Sequence, residues 1–232
     1  MNYNIKVLSK ENLSFPDANN APKDYPLAIG GDLSTDRLIL AYRNGIFPWY
    51  GDNSPILWWS PDPRFVLFVN ELHISKSLNK KLKKDLFEFT IDQSFDEVIE
   101  NCSKVKRKDS DGTWITEEMI RAYKKLHSKG YAHSIEARKD GRLVGGFYGV
   151  CIGSIFFGES MFHLEPDASK FAFAKFVKKL IEKTNIDLID CQVYTDYLAS
   201  FGARLISRKD YLTLLKERID KDNKINNWND LL

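Results

Sequence analysis

Residues 132–161 read AHSIEARKDGRLVGGFYGVCIGSIFFGESM. The runs AHSIEAR, LVGGFYGVCIG and SIFFGES are rich in β-formers, and a tight turn at KDGR joins the first two. Together they predict an antiparallel meander. ASKFAFAKFVKKLIEKTN comes next, with apolar residues at helical spacing, then IDLIDCQVY, an apolar run of strand length. TDYLASFGA and RKDYLTLLKERI predict a short and a longer helix, with RLIS between them as a last strand. Strands and helices mixed in this order specify an α+β fold.

Upstream, the first thirty residues read as loop, broken by Pro16, Pro22 and Pro26. IGGDLS is a glycine turn and a helix start. Ser34 is its cap, Leu38, Ala41 and Tyr42 share a face, and Gly45 stops it. Phe47 to Arg64 reads FPWYGDNSPILWWSPDPR and holds three of five tryptophans and four of eight prolines. Such a stretch predicts turns with an edge strand at ILWW, because Pro55, Pro61 and Pro63 exclude a central one. HISKSLNKKLKK is a helix with Leu78 and Leu82 on one side and Lys76, Lys80, Lys83 and Lys84 on another. FEFTI is a strand. Ser94 and Glu97 form a capping box, and Thr116 caps a further helix that Gly130 ends. The natural boundary near Pro61–Pro63 gives a small N-terminal part (1–62) and a larger part (63–220). The polar tail (221–232) reads as disordered, Trp228 apart.

At 232 residues, 43% hydrophobic and 28% charged, the chain can bury a core. Its net charge of +2 requires any polyanion contact to come from local clustering. Cys102, Cys151 and Cys191 are too few and scattered for a disulfide framework, and the four histidines complete no zinc spacing. MNYNIKVLSKENLSF lacks the apolar core of a signal peptide, and no run is long enough to span a membrane. A cytoplasmic protein with no metal and no membrane association is expected.

In a strand IDLIDCQV, Asp190 and Gln192 point to one face and Cys191 to the other. A buried carboxylate and amide need partners, and an isolated DxQ is most simply a structural hydrogen-bonded pair. Cys191 reads as a small core residue. Glu159, among the aromatics of FFGESMF, either meets a partner inside or faces solvent. Phe173 and Phe176, with Phe147, Phe156 and Met161, form either plain core or the wall of an apolar pocket. Lysines around α-helical LNKKLKK and the run Lys104, Lys106, Arg107 and Lys108 lie near Trp49, Trp58, Trp59 and Trp114. That combination suits single-stranded nucleic-acid ends, and equally a solvated lysine face. No P-loop, GxGxxG or GxSxG is present, which excludes the nucleotide and serine-hydrolase classes those motifs carry.

LAIGGDLS, GIFPWY, ILWWSPDPRFVL, LHISKSL, GTWIT, AHSIE, LVGGFYGV, FFGESMF, ASK, LIDCQV, SFGA and RKDYL occur in that order from about Phe15 to Arg218. As a set they resemble the leucyl/phenylalanyl-tRNA–protein transferases. The resemblance implies transfer of Leu, Phe or Met from aminoacyl-tRNA to proteins with N-terminal Arg or Lys, creating a degradation signal. No cofactor is expected, and since no heptad seam or long exposed apolar strand suggests assembly, a monomer is expected. The resemblance also implies a larger domain of N-acyltransferase type, with a mixed, largely antiparallel sheet, behind a small α/β domain. The Q/R-x-x-G-x-G/A loop of CoA-dependent relatives is missing. Carried over residue by residue, Asp190 and Gln192 match the catalytic pair and Glu159 the acidic residue beside both substrates. Phe147, Phe156, Met161, Phe173 and Phe176 match the amino-acid pocket. Trp49 and Trp114 match aromatics by the tRNA 3′ end, and Lys76, Lys80, Lys83 and Lys84 a basic patch under the acceptor stem. Thr195 and Tyr197 stand where the family has Asn and His. The competing readings are an acyl-CoA-dependent acyltransferase and a non-catalytic RNA-binding module.

Overall fold

Alternation along the chain sorts the core into two faces of one sheet. A computed structural model describes residues 5–84, 86–105 and 115–232. In chain order the elements are β1 (Lys6–Leu8), β2 (Ala28–Gly30), α1 (Thr35–Arg43), β3 (Phe47–Pro48), β4 (Leu57–Trp59), β5 (Arg64–Phe68), α2 (Lys76–Lys83), β6 (Glu88–Ile91) and α3 (Phe95–Ser103). They continue as α4 (Glu117–Ser128), β7 (Ala132–Lys139), β8 (Arg142–Ile152), β9 (Ile155–His163), α5 (Ala168–Lys183), β10 (Leu188–Gln192), α6 (Asp196–Ala199), β11 (Arg204–Ile206) and α7 (Arg208–Arg218). The fold is α+β. A four-stranded sheet has the order β1-β2-β4-β3, and a seven-stranded sheet the order β11-β5-β10-β9-β8-β7-β6.

In the larger sheet only β9 and β10 run parallel, joined through α5; every other pair is antiparallel. Along β5, Val66 belongs to one apolar cluster, and Phe65 and Leu67 to the other. On one face α1, α3, α4 and α7 contribute Leu38, Val98, Met119 and Leu215; on the opposite face α2 and α5 contribute Leu78, Leu82, Phe171 and Phe176. Covered on both sides, the strands carry near-continuous apolar runs. Two glycines of LVGGFYGV make this packing possible. A Cβ on Gly145 would lie 2.6 Å from the Ala168 Cβ, and one on Gly149 would lie 2.3 Å from the Phe157 carbonyl oxygen.

The predicted meander, helices and last strand all form. Four local expectations are corrected. The opening loop contains β1 and β2, which pair in parallel; strands of three residues are too short to show alternation. The ILWW strand is interior, flanked by β2 and β3, because its prolines fall outside the paired residues. Ser94 and Glu97 form no capping box. Ser94 N–H instead donates to Glu136 Oε1 at 2.8 Å, and the Ser94 hydroxyl accepts from Arg138. The tail packs back: Trp228 stacks on His133 at 3.8 Å between ring centres, and Lys183 Nζ donates to the carbonyls of Asp230 and Leu232 at 2.7 and 3.0 Å. Among the described residues no helix is long and apolar enough to cross a membrane.

Gly145→Ala forces a methyl group into the α5 contact and is expected to lower stability by about 1–3 kcal/mol in urea denaturation. An unchanged midpoint would show that α5 has room to move.

Candidate active site

Two irregularities on neighbouring strands build the site. In the β8–β9 register Tyr148 faces Ser160 and Gly149 faces Gly158, so Glu159 is the bulged residue. In the β5–β10 register Val66 faces Asp190 and Phe65 faces Gln192, so Cys191 is skipped. Gln192 takes up the difference with φ of 63°, a conformation that non-glycine residues hold only under tertiary constraint. Pairing of β9 with β10 ends at Phe157 and Asp190, and beyond that point the strands part.

A cavity of about 430 Å³ occupies the gap, within the ordinary range for a small-molecule site. Phe147, Phe156, Met161 and Phe173 line it, with Ile189 and Leu198; Gln192 and Glu159 lie at its polar end, and Phe47, Pro48 and Trp49 at the side of the N-terminal sheet. Phe176 does not line it. It stands fully buried behind the wall, with ring centres 4.8 Å from Phe156 and 5.5 Å from Phe147. Asp190 does not line it either.

Asp190 is fully buried and accepts from Arg64 Nε at 2.8 Å, Arg64 Nη2 at 2.6 Å and the Tyr211 hydroxyl at 2.7 Å. Arg64 lies over the rings of Phe47 and Tyr211 and donates to the Gly45 carbonyl at 3.1 Å. Burial opposes the guanidinium charge, but the Asp190 carboxylate outweighs it and holds the Arg64 pKa above its ordinary value. The strand picture that put the Asp190 and Gln192 side chains together is therefore corrected. Asp190 Oδ1 accepts the Gln192 backbone N–H at 2.9 Å, whereas the Gln192 side-chain amide donates to Glu159 Oε1 at 2.7 Å. The bulge separates the two functions.

Glu159 also accepts from the Tyr42 hydroxyl at 2.8 Å and the Tyr123 hydroxyl at 3.1 Å. Glu159 is half-buried and lines the cavity. Burial pushes its pKa up to about 8, helped by the Asp190 charge and opposed by the three donors. Tyr42 and Tyr123 are raised in turn, first by their own burial and then by Glu159. Cys191 is an inert thiol, since burial raises its pKa, helped by the Asp190 charge; its Sγ donates to the Ile189 carbonyl.

Trp49 is 39% exposed at the cavity mouth, and its carbonyl accepts from the Trp59 indole at 2.7 Å. Trp58 faces the other way into the core and donates to the Gly30 carbonyl at 2.9 Å. Lys76, Lys80, Lys83 and Lys84 are exposed on α2 and its end, one helix away from the cavity wall formed by α5. Trp114, Lys106, Arg107 and Lys108 lie outside the described residues. Thr195 and Tyr197 both reach the cavity. Asp92, His127 and His133 approach within 4.8 Å of one another. The carbonyls of Ala132 and Gly130 require N–H groups at His127 Nδ1 and His133 Nε2, so these rings act as donors there.

The family model described as leucyl/phenylalanyl-tRNA protein transferase matches residues 66–216, and the N-terminal domain model of that family matches residues 31–62. This chain belongs to the leucyl/phenylalanyl-tRNA protein transferase family. A relative in Syntrophobacter fumaroxidans, named leucyl/phenylalanyl-tRNA–protein transferase, is 54% identical over 90% of this chain and 89% of its own length. Transferases of the same name in Pseudomonas fluorescens and Flavobacterium johnsoniae are 51% and 50% identical, over 93% and 90% of this chain and 96% and 98% of their own lengths. Sequence reasoning missed four residues of this family member's site: Arg64, Tyr42, Tyr123 and Tyr211. Arg64 had a signal, a cation opening the buried apolar run RFVLF. The tyrosines had none, because a helical face hides whether a hydroxyl has a buried partner.

Arg64→Met leaves the Asp190 charge unpaired inside the protein and is expected to cost about 3–5 kcal/mol of stability by urea denaturation. A loss below about 1 kcal/mol would show that Asp190 finds another partner.

Proposed function

We propose that this protein transfers Leu, Phe or Met from aminoacyl-tRNA to the α-amine of proteins that begin with Arg or Lys. One observation carries this reading. In a chain of this family, an apolar cavity with room for such a side chain ends at an amide and a carboxyl, Gln192 and Glu159. The product is read as a degradation signal, made in the cytoplasm by a monomer. The parting of β9 and β10 supports an N-acyltransferase-type arrangement, with 1–62 as a platform beside the RNA end and 63–220 as the reacting body.

An aminoacyl ester is already activated, so amide formation runs downhill without a nucleotide. The α-amine has a reference pKa of about 7.7–8.0, and an appreciable fraction is neutral at cell pH. Orientation is the main requirement, and near-attack geometry can supply on the order of 7–11 kcal/mol. Glu159 fixes the Gln192 amide nitrogen, which leaves the Gln192 carbonyl oxygen to accept from the attacking amine. Asp190 acts one step back. It holds the strained backbone of Gln192 and is itself clamped by Arg64 and Tyr211. Phe, Leu and Met carry their bulk beyond an unbranched Cβ and fit a tunnel of aromatics and Met161. Discrimination of about 1–3 kcal/mol per methylene implies leakage among similar side chains. The α2 lysines track phosphates without reading sequence.

Radiolabelled Leu-tRNA mixed with peptides starting with Arg, Lys or Ala is expected to label the first two and spare the third. Bound tRNA without transfer to any peptide would favour an RNA-binding module, and transfer from an acyl-CoA in place of Leu-tRNA would favour the CoA-dependent rival. Converting Lys76, Lys80, Lys83 and Lys84 to Ala is expected to weaken tRNA binding. The slope of log affinity against log salt should flatten by up to about 3, roughly 0.7–0.9 per lost phosphate contact. An unaltered slope would remove the basic patch from the interface.

A further inference from the structure

The hydrogens around Glu159 do not add up if it is ionised. Three oxygen–oxygen contacts close a ring: Tyr42 hydroxyl to Tyr123 hydroxyl, Tyr42 hydroxyl to Glu159 Oε1, and Tyr123 hydroxyl to Glu159 Oε2. Both tyrosines are fully buried, and two phenols bring only two hydrogens. A carboxyl proton supplies the third. Oε2–H then donates to Tyr123, Tyr123 to Tyr42, and Tyr42 to Oε1, whose second lone pair takes the Gln192 amide. Among the described residues, the three ring contacts are satisfied together only with Glu159 neutral.

The same neighbours also fit the ionised form when it is needed briefly. With the proton gone, Tyr42 from α1, Tyr123 from α4 and Gln192 from β10 all donate to the carboxylate. Asp190 adds a like charge behind β10, already neutralised by Arg64. Tyr148 of β8 lies edge-on to the rings of Tyr123 and Phe95, at 5.6 and 5.8 Å between centres. A group that is stable with its proton and supported without it suits proton exchange.

We propose that Glu159 is the proton-transfer residue of the aminoacyl transfer, resting as a neutral acid in a ring with Tyr42 and Tyr123. The assignment rests on the transfer reading above. The amine attacks the ester carbon and forms the C–N bond, leaving a surplus proton on nitrogen. Glu159 gives its own proton to the ribose oxygen as the C–O bond breaks, and the carboxylate then takes the proton from nitrogen. Amine and ribose exchange one proton, and the enzyme returns to its starting state. The pKa of about 8 places this group close to working pH, where proton transfer in both directions is efficient.

The test compares two donors, Leu-tRNA and leucine p-nitrophenyl ester, with an Arg-starting peptide. Nitrophenolate leaves without a proton, so Glu159→Gln is expected to slow transfer from the ribose ester by about 10²-fold and from the nitrophenyl ester by only a few-fold. The wild-type rate with Leu-tRNA should fall as pH rises above about 8, because the acid form is lost, and the variant should lack that fall. An infrared spectrum of the free wild-type protein should contain a protonated-carboxyl C=O band that Glu159→Gln lacks. Tyr123→Phe breaks the ring and should give the same donor selectivity, weaker by about tenfold; it serves if Glu159→Gln misfolds. Equal losses on both esters, or no such band, would overturn the proton assignment while leaving transfer intact. A wild-type chain that moves no leucine from tRNA would overturn the transfer reading and this inference with it.

Discussion

A sheet that stops pairing in the middle of its own core leaves backbone groups without ladder partners, a state proteins rarely tolerate. Here β9 and β10 part at Phe157 and Asp190, and side chains take over the work of the ladder. Asp190 accepts the Gln192 backbone N–H, and Arg64 and Tyr211 neutralise and fix Asp190. The buried ion pair thus ties β5, β10 and α7 together beside the point where β9 and β10 part. Such pairs contribute little net stability against an apolar alternative, but losing one partner is severe. Its role here is to fix the Gln192 backbone at the edge of the opening.

The opening joins parts of the chain that are far apart in sequence. Arg64 comes from β5, Tyr42 from α1, Tyr123 from α4, Tyr211 from α7, and the bulged residues from β9 and β10. The N-terminal segment is therefore part of the site. It closes one side of the cavity with Phe47, Pro48 and Trp49, and it supplies a hydroxyl to Glu159. On the far side α5 provides Phe173 as wall, with Phe176 as its backing. Apolar walls and a polar end held by hydrogen bonds among Glu159, Gln192, Tyr42 and Tyr123 give a low-dielectric site whose dipoles are already oriented.

Much of this was legible in the sequence because it depends on local periodicity. The meander follows from alternation and the KDGR turn, α5 from its apolar spacing, and β10 from a run of strand length. Order in the motif set pointed to the family. Bulges were not legible, since register is decided by two strands together: nothing in FFGESMF alone says that Glu159 will be skipped, nor in LIDCQV that Gln192 will turn to positive φ. Phe176 looked like a lining residue because helical spacing places it one step from Phe173, and only the depth of the packing separates wall from backing. The polar tail looked solvated because Trp228 finds its partners, His133 and the backs of Phe156 and Phe176, from distant elements.

All three native thiols are buried. Burial raises the pKa of Cys151 to about 12 and that of Cys191 upward as well, so little thiolate exists at neutral pH. A new cysteine placed on the exposed face of α2 would accordingly react with a maleimide dye ahead of the native three, with no need to delete them. The protein comes ready for site-specific fluorescence, and the distance from that helix to a labelled tRNA end can be followed while the cavity fills.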